Sequence, residues 1–459
     1  MDVTELISKL SLTEKALLLS GKNNWETRDM PRLNLPAYFF ADGPHGIRKQ
    51  EGKSDHLGLN KSRAATCFPT AATVANSWDE QLAEQIGSAL GEEAKAQQVD
   101  VLLGPGLNIK RHPLGGRNFE YFSEDPYLSG KMAAAYVRGI QHSGTIACPK
   151  HFAANSQETR RMASDSIIDE RTLRELYLTA FEIVVKEAKP KSIMSAYNQL
   201  NGIYANESRF LLRDILRAEW NFDGFVVSDW GGSNDHVAGV INGSHLEMPS
   251  TGAAGAAELI QAVENGNLHE SIIDERLQEL LSVLLAKPKQ SSEQTLSEHK
   301  TSEHHDLACR AALESAVLLK NQDHILPLRS GVKIAIIGAF AEEPRYQGAG
   351  SSFVNPTRLD RTTEIIDQYD LNYIGFAQGY DTKNTISKDQ FVQEAVSLAR
   401  QAEVVLYYFG LDESSESEGM DRIHFTLPPN QLELLQELKK SKFEYRRHPF
   451  RRFSSGFVF

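Results

Sequence analysis

The sequence predicts an α/β protein, a (β/α)8-type barrel followed by an α/β sandwich. Three features predict it. Short runs of β-branched and aromatic residues alternate with amphipathic helical stretches over about 250 residues, the pattern of parallel strands joined by crossover helices. Polar residues gather after each run, at the strand ends where barrels carry their chemistry. Beyond a polar stretch at 286–306, Val332–Phe340 and Glu403–Gly410 are two further apolar runs of the buried parallel kind. A doubly wound sheet shares the alternation but collects its ligands at one crevice. Here many strand ends supply polar groups, which favours the barrel.

Residues 2–22 read as two short helices, the second capped by Ser11 with Glu14 closing a capping box. Ala37–Arg48 is a strand that runs into a Gly/Pro turn and leaves Asp42 at its end. Residues 65–98 are a loop into a long amphipathic helix, and Asp100–Ile109 is the next strand. Arg111–Pro126 is a Gly-rich loop, too long and too aromatic for a simple turn, and such loops tend to bind ligands. The strand GTIACPKHF ends in Lys150 and His151. In the helix of residues 166–188, Leu173, Leu176, Tyr177, Ala180, Phe181 and Val184 form the apolar stripe. Ser192–Gly202 is a fourth strand. Leu212, Ile215, Leu216 and Trp220 then recur at helical spacing and lead into GFVVSDWGG, Gly224–Gly232. Its buried run Phe225–Val227 delivers Asp229 at the strand's carboxyl end. An aspartate there serves as nucleophile, base or metal ligand; the plainer reading is a cap for the helix that follows. His245–Pro249 closes the barrel.

The domain reading is a barrel over 1–285, a linker over 286–306, a sandwich over 307–440 and an aberrant tail over 441–459. His304 and His305 in the linker have no spaced third ligand, so no metal is expected. Within the second unit, 311–328 reads as helix, strand and turn. Gly338 follows a strand without a G-x-G-x-x-G, which speaks against a nucleotide turn. The tail holds six aromatics and five Lys/Arg against one acid, in an otherwise acidic chain. It is expected to mark a truncated or frameshifted end rather than a membrane-touching tail, since it lacks amphipathic helical spacing.

The 459 residues carry a formal net charge of −12, which argues against nucleic acid as a partner. No apolar run approaches the ~20 residues needed to cross a bilayer. The N-terminus lacks the basic-then-apolar layout of a secretory signal. Cys67, Cys148 and Cys309 are far apart and odd in number, so neither a disulfide framework nor a metal spacing arises. The cytoplasm is the expected compartment, and a homo-oligomer is compatible with the composition.

Five motifs, GGRNFEYFSEDP, KHFAANSQETRR, SAYNQLNG, GFVVSDWGG and LLKNQDHILPL, occur in this order, followed by SEGMDR and FTLPPNQLELL. Together they resemble glycoside hydrolase family three, of the β-glucosidase type, over residues 1 to roughly 440. The resemblance implies a retaining, exo-acting enzyme that releases terminal β-D-glucosyl residues from β-glucosides or short β-linked oligosaccharides, without cofactor or metal. It implies that Asp229 is the nucleophile and Glu418 the acid/base, with Glu416 as the alternative on the same acid-rich loop. It implies sugar contacts from Asp42, Arg117, Lys150, His151, Arg161, Met194, Tyr197 and Trp230, and from Ser351 in the second domain. The family's second domain normally runs further, so the sandwich is expected to be incomplete.

Retaining hydrolysis needs one ionised carboxylate to attack and one protonated carboxyl to donate. Lys150, Arg117 and Arg161 are expected to keep Asp229 ionised, and neighbouring acids Glu413, Glu416 and Asp421 to keep Glu418 protonated. Each residue also has a plain reading. Arg117 with Glu120 reads as a surface ion pair, Met194 and Tyr197 as core, and Trp230 as packing. A β-xylosidase, or a weak remnant that only binds sugar, are the competing readings. An N-acetylglucosaminidase is disfavoured, because KHFAANSQE lacks the second histidine of such relatives.

Overall fold

The computed structural model describes residues 2–50, 61–287 and 296–446. The chain divides into two compact units. The first holds residues 1–316 together with two later loops, Gln347–Thr357 and Ser417–Asp421; the second holds the remainder.

The first unit is built on short parallel strands. Phe40–Asp42 pairs with Val101–Leu103, which pairs with Ile146–Ala147. Phe152 bridges to Ser195, and Ser192–Met194 pairs with Phe225–Val227. Val227 bridges to Leu246, Glu247 to Ser20, and Glu26 returns antiparallel to Phe39. These pairings close a ring, so His245–Pro249 and the segment after the second helix complete the barrel-like wall. The strands are buried on both faces because they lie between the interior and the helices. Ser11 and Glu14 form the expected capping box on Leu12–Leu18.

Two helices depart from the expected spacing. Leu173–Leu178 is a turn of π-helix, which inserts one residue into the repeat. Leu173, Leu178, Phe181 and Val184 therefore face the core, while Leu176 is exposed. Phe210–Glu219 is also π-helical, closed by Trp220 N–H donating to the Ile215 carbonyl. The end of the expected linker belongs to a helix, Glu298–Glu314, that continues into the next expected domain, while 288–295 lie outside the described residues. In that helix His304 is buried between Glu93, at 2.8 Å, and Glu92, at 3.2 Å.

The second unit carries a parallel sheet in the order Asn372–Ala377, Lys333–Ile337, Val404–Tyr407. The strand expected within 311–328 does not form: 317–321 is irregular, and Val317, Leu318 and Leu319 are exposed. Pro429–Arg446 is a helix; of the tail read as aberrant, 447–459 lies outside the described residues. Among the described residues no helix is long and apolar enough to cross a membrane.

A buried charge cluster anchors the strand that leads to Asp229. Val226 N–H donates to His245 Nδ1 at 3.0 Å, so the ring keeps its proton on Nε2 and gives it to Glu279 at 2.7 Å. Arg276 Nη1 lies 2.6 Å from the same carboxylate. Burial would raise the Glu279 pKa, but His245, Arg217 and Arg276 hold it at about 2. Because that pKa is depressed, the stabilisation is full above the unfolded value near 4.3 and is lost as pH falls through about 2. Glu279→Ala, which strands buried cations, is expected to cost about 3 kcal/mol at pH 7 in denaturant unfolding. The gap to wild type should narrow as the pH falls below 4.

Candidate active site

The strand ends and two loops of the first unit bring the candidate residues into one buried constellation. Asp229 follows the Phe225–Val227 strand. Its Oδ1 accepts the Trp230 N–H at 2.8 Å, while Oδ2 is buried with no hydrogen-bond partner. It does not cap a helix; the next one starts at His236 and is capped by Asp235. His151 Nε2 lies 3.7 Å from Oδ2. Burial, then Arg117 and Lys150, push the His151 pKa well below its ordinary value, so the ring is neutral.

Three cations, Arg117, Arg161 and Lys150, act on Asp229 through their charge. Lys150 Nζ donates to Asp42 at 3.2 Å and lies 3.6 Å from Glu120. Arg117 makes two parallel bonds to Glu120, at 2.7 and 2.9 Å, with both side chains 1% exposed. The pair is thus not the surface contact that its spacing suggested. Arg117 Nη1 points away from Glu120, is buried without a hydrogen bond, and lies 3.6 Å from Glu418. Arg161 Nη1 donates to both Glu158 and Glu418 at 2.8 Å, and its guanidinium covers the Tyr197 ring at 4.4 Å. Tyr197 donates to the Trp230 carbonyl at 2.9 Å, and Trp230 rests on Trp25 with ring centroids 5.1 Å apart. Met194 is the exception: it sits in the apolar cluster with Phe225 and Val227.

Glu418 and Ser351 belong to the two late loops that pack in this unit. The Ser351 N–H donates to Glu418 Oε2 at 2.7 Å, and Arg48 Nη1 holds the Ser351 carbonyl at 2.9 Å. Glu416 instead pairs with Arg345 at 2.8 Å in the second unit.

The electrostatics reverse both expectations about the two carboxyls. Burial pushes Asp229 up to about 6, more than Arg117 and Arg161 pull it down, and the charge of Glu418 adds to the rise. Burial would also raise Glu418, but Arg117, Arg161 and the Ser351 N–H hold it well below the usual carboxylate range. The acids adjacent in sequence do not set its pKa, because the arginines face it in space. Sequence reasoning missed Glu120 as a buried partner, and Glu158 and Asp421 altogether as structural acceptors. Their signal was present, as carboxylates inside the same polar motifs as Arg117, Arg161 and Glu418.

Two carboxyls among fixed donors, Asp229 after a strand and Glu418 on a late loop, are the groups that a glycosidase site requires. The comparisons agree with that class of site. The glycosyl hydrolase family 3 N-terminal domain matches residues 32–283, and the family's C-terminal domain matches residues 316–444. The chain belongs to glycosyl hydrolase family 3. It is 47% identical to thermostable β-glucosidase B of Acetivibrio thermocellus, over 95% of this chain and 58% of that protein. It is 41% identical to an exo-α-(1→6)-L-arabinopyranosidase of Bifidobacterium longum, over 94% of this chain and 58% of that protein. The β-glucosidase structure from Bifidobacterium adolescentis superposes with a TM-score of 0.87 at 40% identity, covering 95% of this chain and 62% of that one. That of β-glucosidase 3B from Thermotoga neapolitana with α-D-glucose gives 0.86 at 34% identity, covering 97% and 67%. The chain thus spans a little over half the length of the two sequence relatives.

Proposed function

We propose that the chain is a retaining, exo-acting β-glycosidase for terminal β-D-glucosyl groups. Asp229 is its nucleophile and Glu418 its acid/base. One observation carries this reading: Asp229 Oδ2 is a buried carboxylate oxygen without a partner, in a site crowded with donors. A buried polar atom left unpaired is costly unless a ligand completes it. An anomeric carbon is such a ligand, and Glu418, the carboxyl that raises the Asp229 pKa, is the second group the chemistry needs. Asp42, Lys150, His151, Arg117, Arg161, Tyr197, Trp230 and Ser351 would shape the pocket for the sugar, and Met194 would back it from the core. Glu418 is preferred over Glu416 because it packs in the unit that holds Asp229, against Arg117 and Arg161, whereas Glu416 belongs to the second unit and pairs there with Arg345.

The architecture is read as an eight-fold (β/α)-type barrel over 1–285 and an α/β sandwich over 307–440. The parallel ring and the parallel three-stranded sheet support it. The cytoplasm fits three cysteines that form no disulfide.

The test is turnover of a panel of nitrophenyl glycosides beside an Asp229→Ala control. The panel holds β-D-glucoside, β-D-xyloside and α-L-arabinopyranoside, the last because one relative is named for that sugar. Preferred cleavage of the glucoside supports the reading. Sugar binding without turnover of any of them would make the chain a binding remnant instead.

Gly350 offers a sharper probe of Glu418. Its φ is +114°, and a Cβ there would lie 2.4 Å from the Glu418 Cβ. Gly350→Ala is therefore expected to displace Glu418 and lower kcat about a hundredfold, read by steady-state kinetics on a nitrophenyl β-glucoside.

A further inference from the structure

The loop that carries Glu418 has few bonds of its own. Ser417 bridges to Ala349 and Met420, and little else in its backbone is paired internally. Its far end is held differently. Asp421 Oδ1 accepts the N–H groups of Gly116, at 3.0 Å, and Glu158, at 3.1 Å. Oδ2 accepts Glu158 again, at 3.1 Å, and Thr159, at 2.8 Å. In return, Glu158 Oε2 accepts the Gly419 N–H at 2.8 Å. Each carboxylate thus holds backbone N–H groups of the other's loop. Gly116 permits the close approach, since a Cβ there would lie 1.7 Å from the Met420 carbonyl oxygen. Gly116 precedes Arg117, and Thr159 lies two residues before Arg161, so the grip joins Glu418 to both arginines that face it.

We propose that Asp421 is a positioning residue, whose carboxylate fixes the Glu418 loop against the loops of Arg117 and Arg161 and so sets where Glu418 gives and takes its proton. The proposal rests on the reading of Glu418 as acid/base. Burial would raise the Asp421 pKa, but the Thr159, Gly116 and Glu158 N–H groups keep it below the ordinary range, as a carboxylate serving as an acceptor requires. Both oxygens are used, so an asparagine presents its NH2 to an N–H donor whichever way it turns. Asp421→Asn should therefore loosen the loop without changing its size.

The experiment compares Asp421→Asn with wild type on two substrates. Phenyl β-glucoside needs protonation of its leaving oxygen, and 2,4-dinitrophenyl β-glucoside does not. Hydrogen exchange of the same two proteins is followed in parallel. The expected result is a loss of kcat/KM about a hundredfold on the phenyl substrate and at least about tenfold smaller on the dinitrophenyl one. Exchange should quicken in 115–118, 157–161 and 417–421 alone. Equal losses on both substrates would overturn the proposal, because general instability does not distinguish leaving groups. If wild type cleaves neither substrate, the hydrolase reading fails by itself. Exchange then decides the placement, and unchanged exchange at those segments overturns it. If Asp421→Asn exchanges faster throughout, Asp421→Glu, which keeps charge and acceptors, takes its place under the same criteria.

Discussion

Asp229→Ala is expected to lower kcat on a nitrophenyl β-glucoside by on the order of 10⁴-fold or more, because it removes the proposed nucleophile. Asp229 has no neighbour that can replace it. His151 is the nearest base, 3.7 Å away and neutral, but it is tied through Nδ1 to Tyr121 and Asn108. Asp42 is engaged by Lys150. Azide should restore turnover of the alanine variant by filling the space of the lost carboxylate, and the product should be the azide of inverted anomeric configuration. Wild type should give a burst with 2-deoxy-2-fluoro-β-glucosides, as glycosylation outruns release, and the variant none. A burst of equal size in Asp229→Ala would assign the nucleophile elsewhere. The loss should come without comparable loss of stability, since Asp229 Oδ2 has no partner to strand and only the bond from Trp230 N–H disappears.

The parallel strands of the first unit were legible because they are apolar runs bounded by polar loops, which burial on both faces imposes. That Asp42, Lys150, His151 and Asp229 are polar groups buried near strand ends was legible, because each ends such a run. The Asn372–Ala377 strand was not. Gly375 interrupts it and its outer residues are only half-buried, so its composition resembles a loop. Helix faces went astray where π-helix enters, since the inserted residue turns Leu176 to solvent and brings Leu178 in. The polar run that read as a linker hid a helix because its buried groups are polar: His304 is satisfied by two glutamates rather than by apolar neighbours. Charge was the least legible property. Residues adjacent in sequence to Glu418 are acids, but the groups facing it are Arg117 and Arg161, from loops roughly 260 to 300 positions away.

The reversed carboxyls predict a pH dependence that changes shape with the leaving group. In the free site Glu418 is ionised and Asp229 titrates at about 6. Between these values the pair holds one proton, which resides mostly on Asp229. A poor leaving group needs that proton on Glu418 and Asp229 ionised, a minor arrangement of the same singly protonated pair. Its kcat/KM should therefore follow the amount of singly protonated site and fall about tenfold per pH unit above about 6. An activated leaving group such as 2,4-dinitrophenolate needs only ionised Asp229. Its kcat/KM should rise about tenfold per pH unit up to about 6 and then stay level, so below pH 6 only the activated substrate's profile slopes and above it only the phenyl one's. Glu418→Gln removes the negative charge that helps to raise Asp229, so its rising limb should move below 6, and the phenyl glucoside should lose its falling limb. A level profile for the activated substrate through about pH 5 to 7, with the phenyl profile still falling at higher pH, would show that the proton sits on Glu418 in the free protein, with Asp229 already ionised.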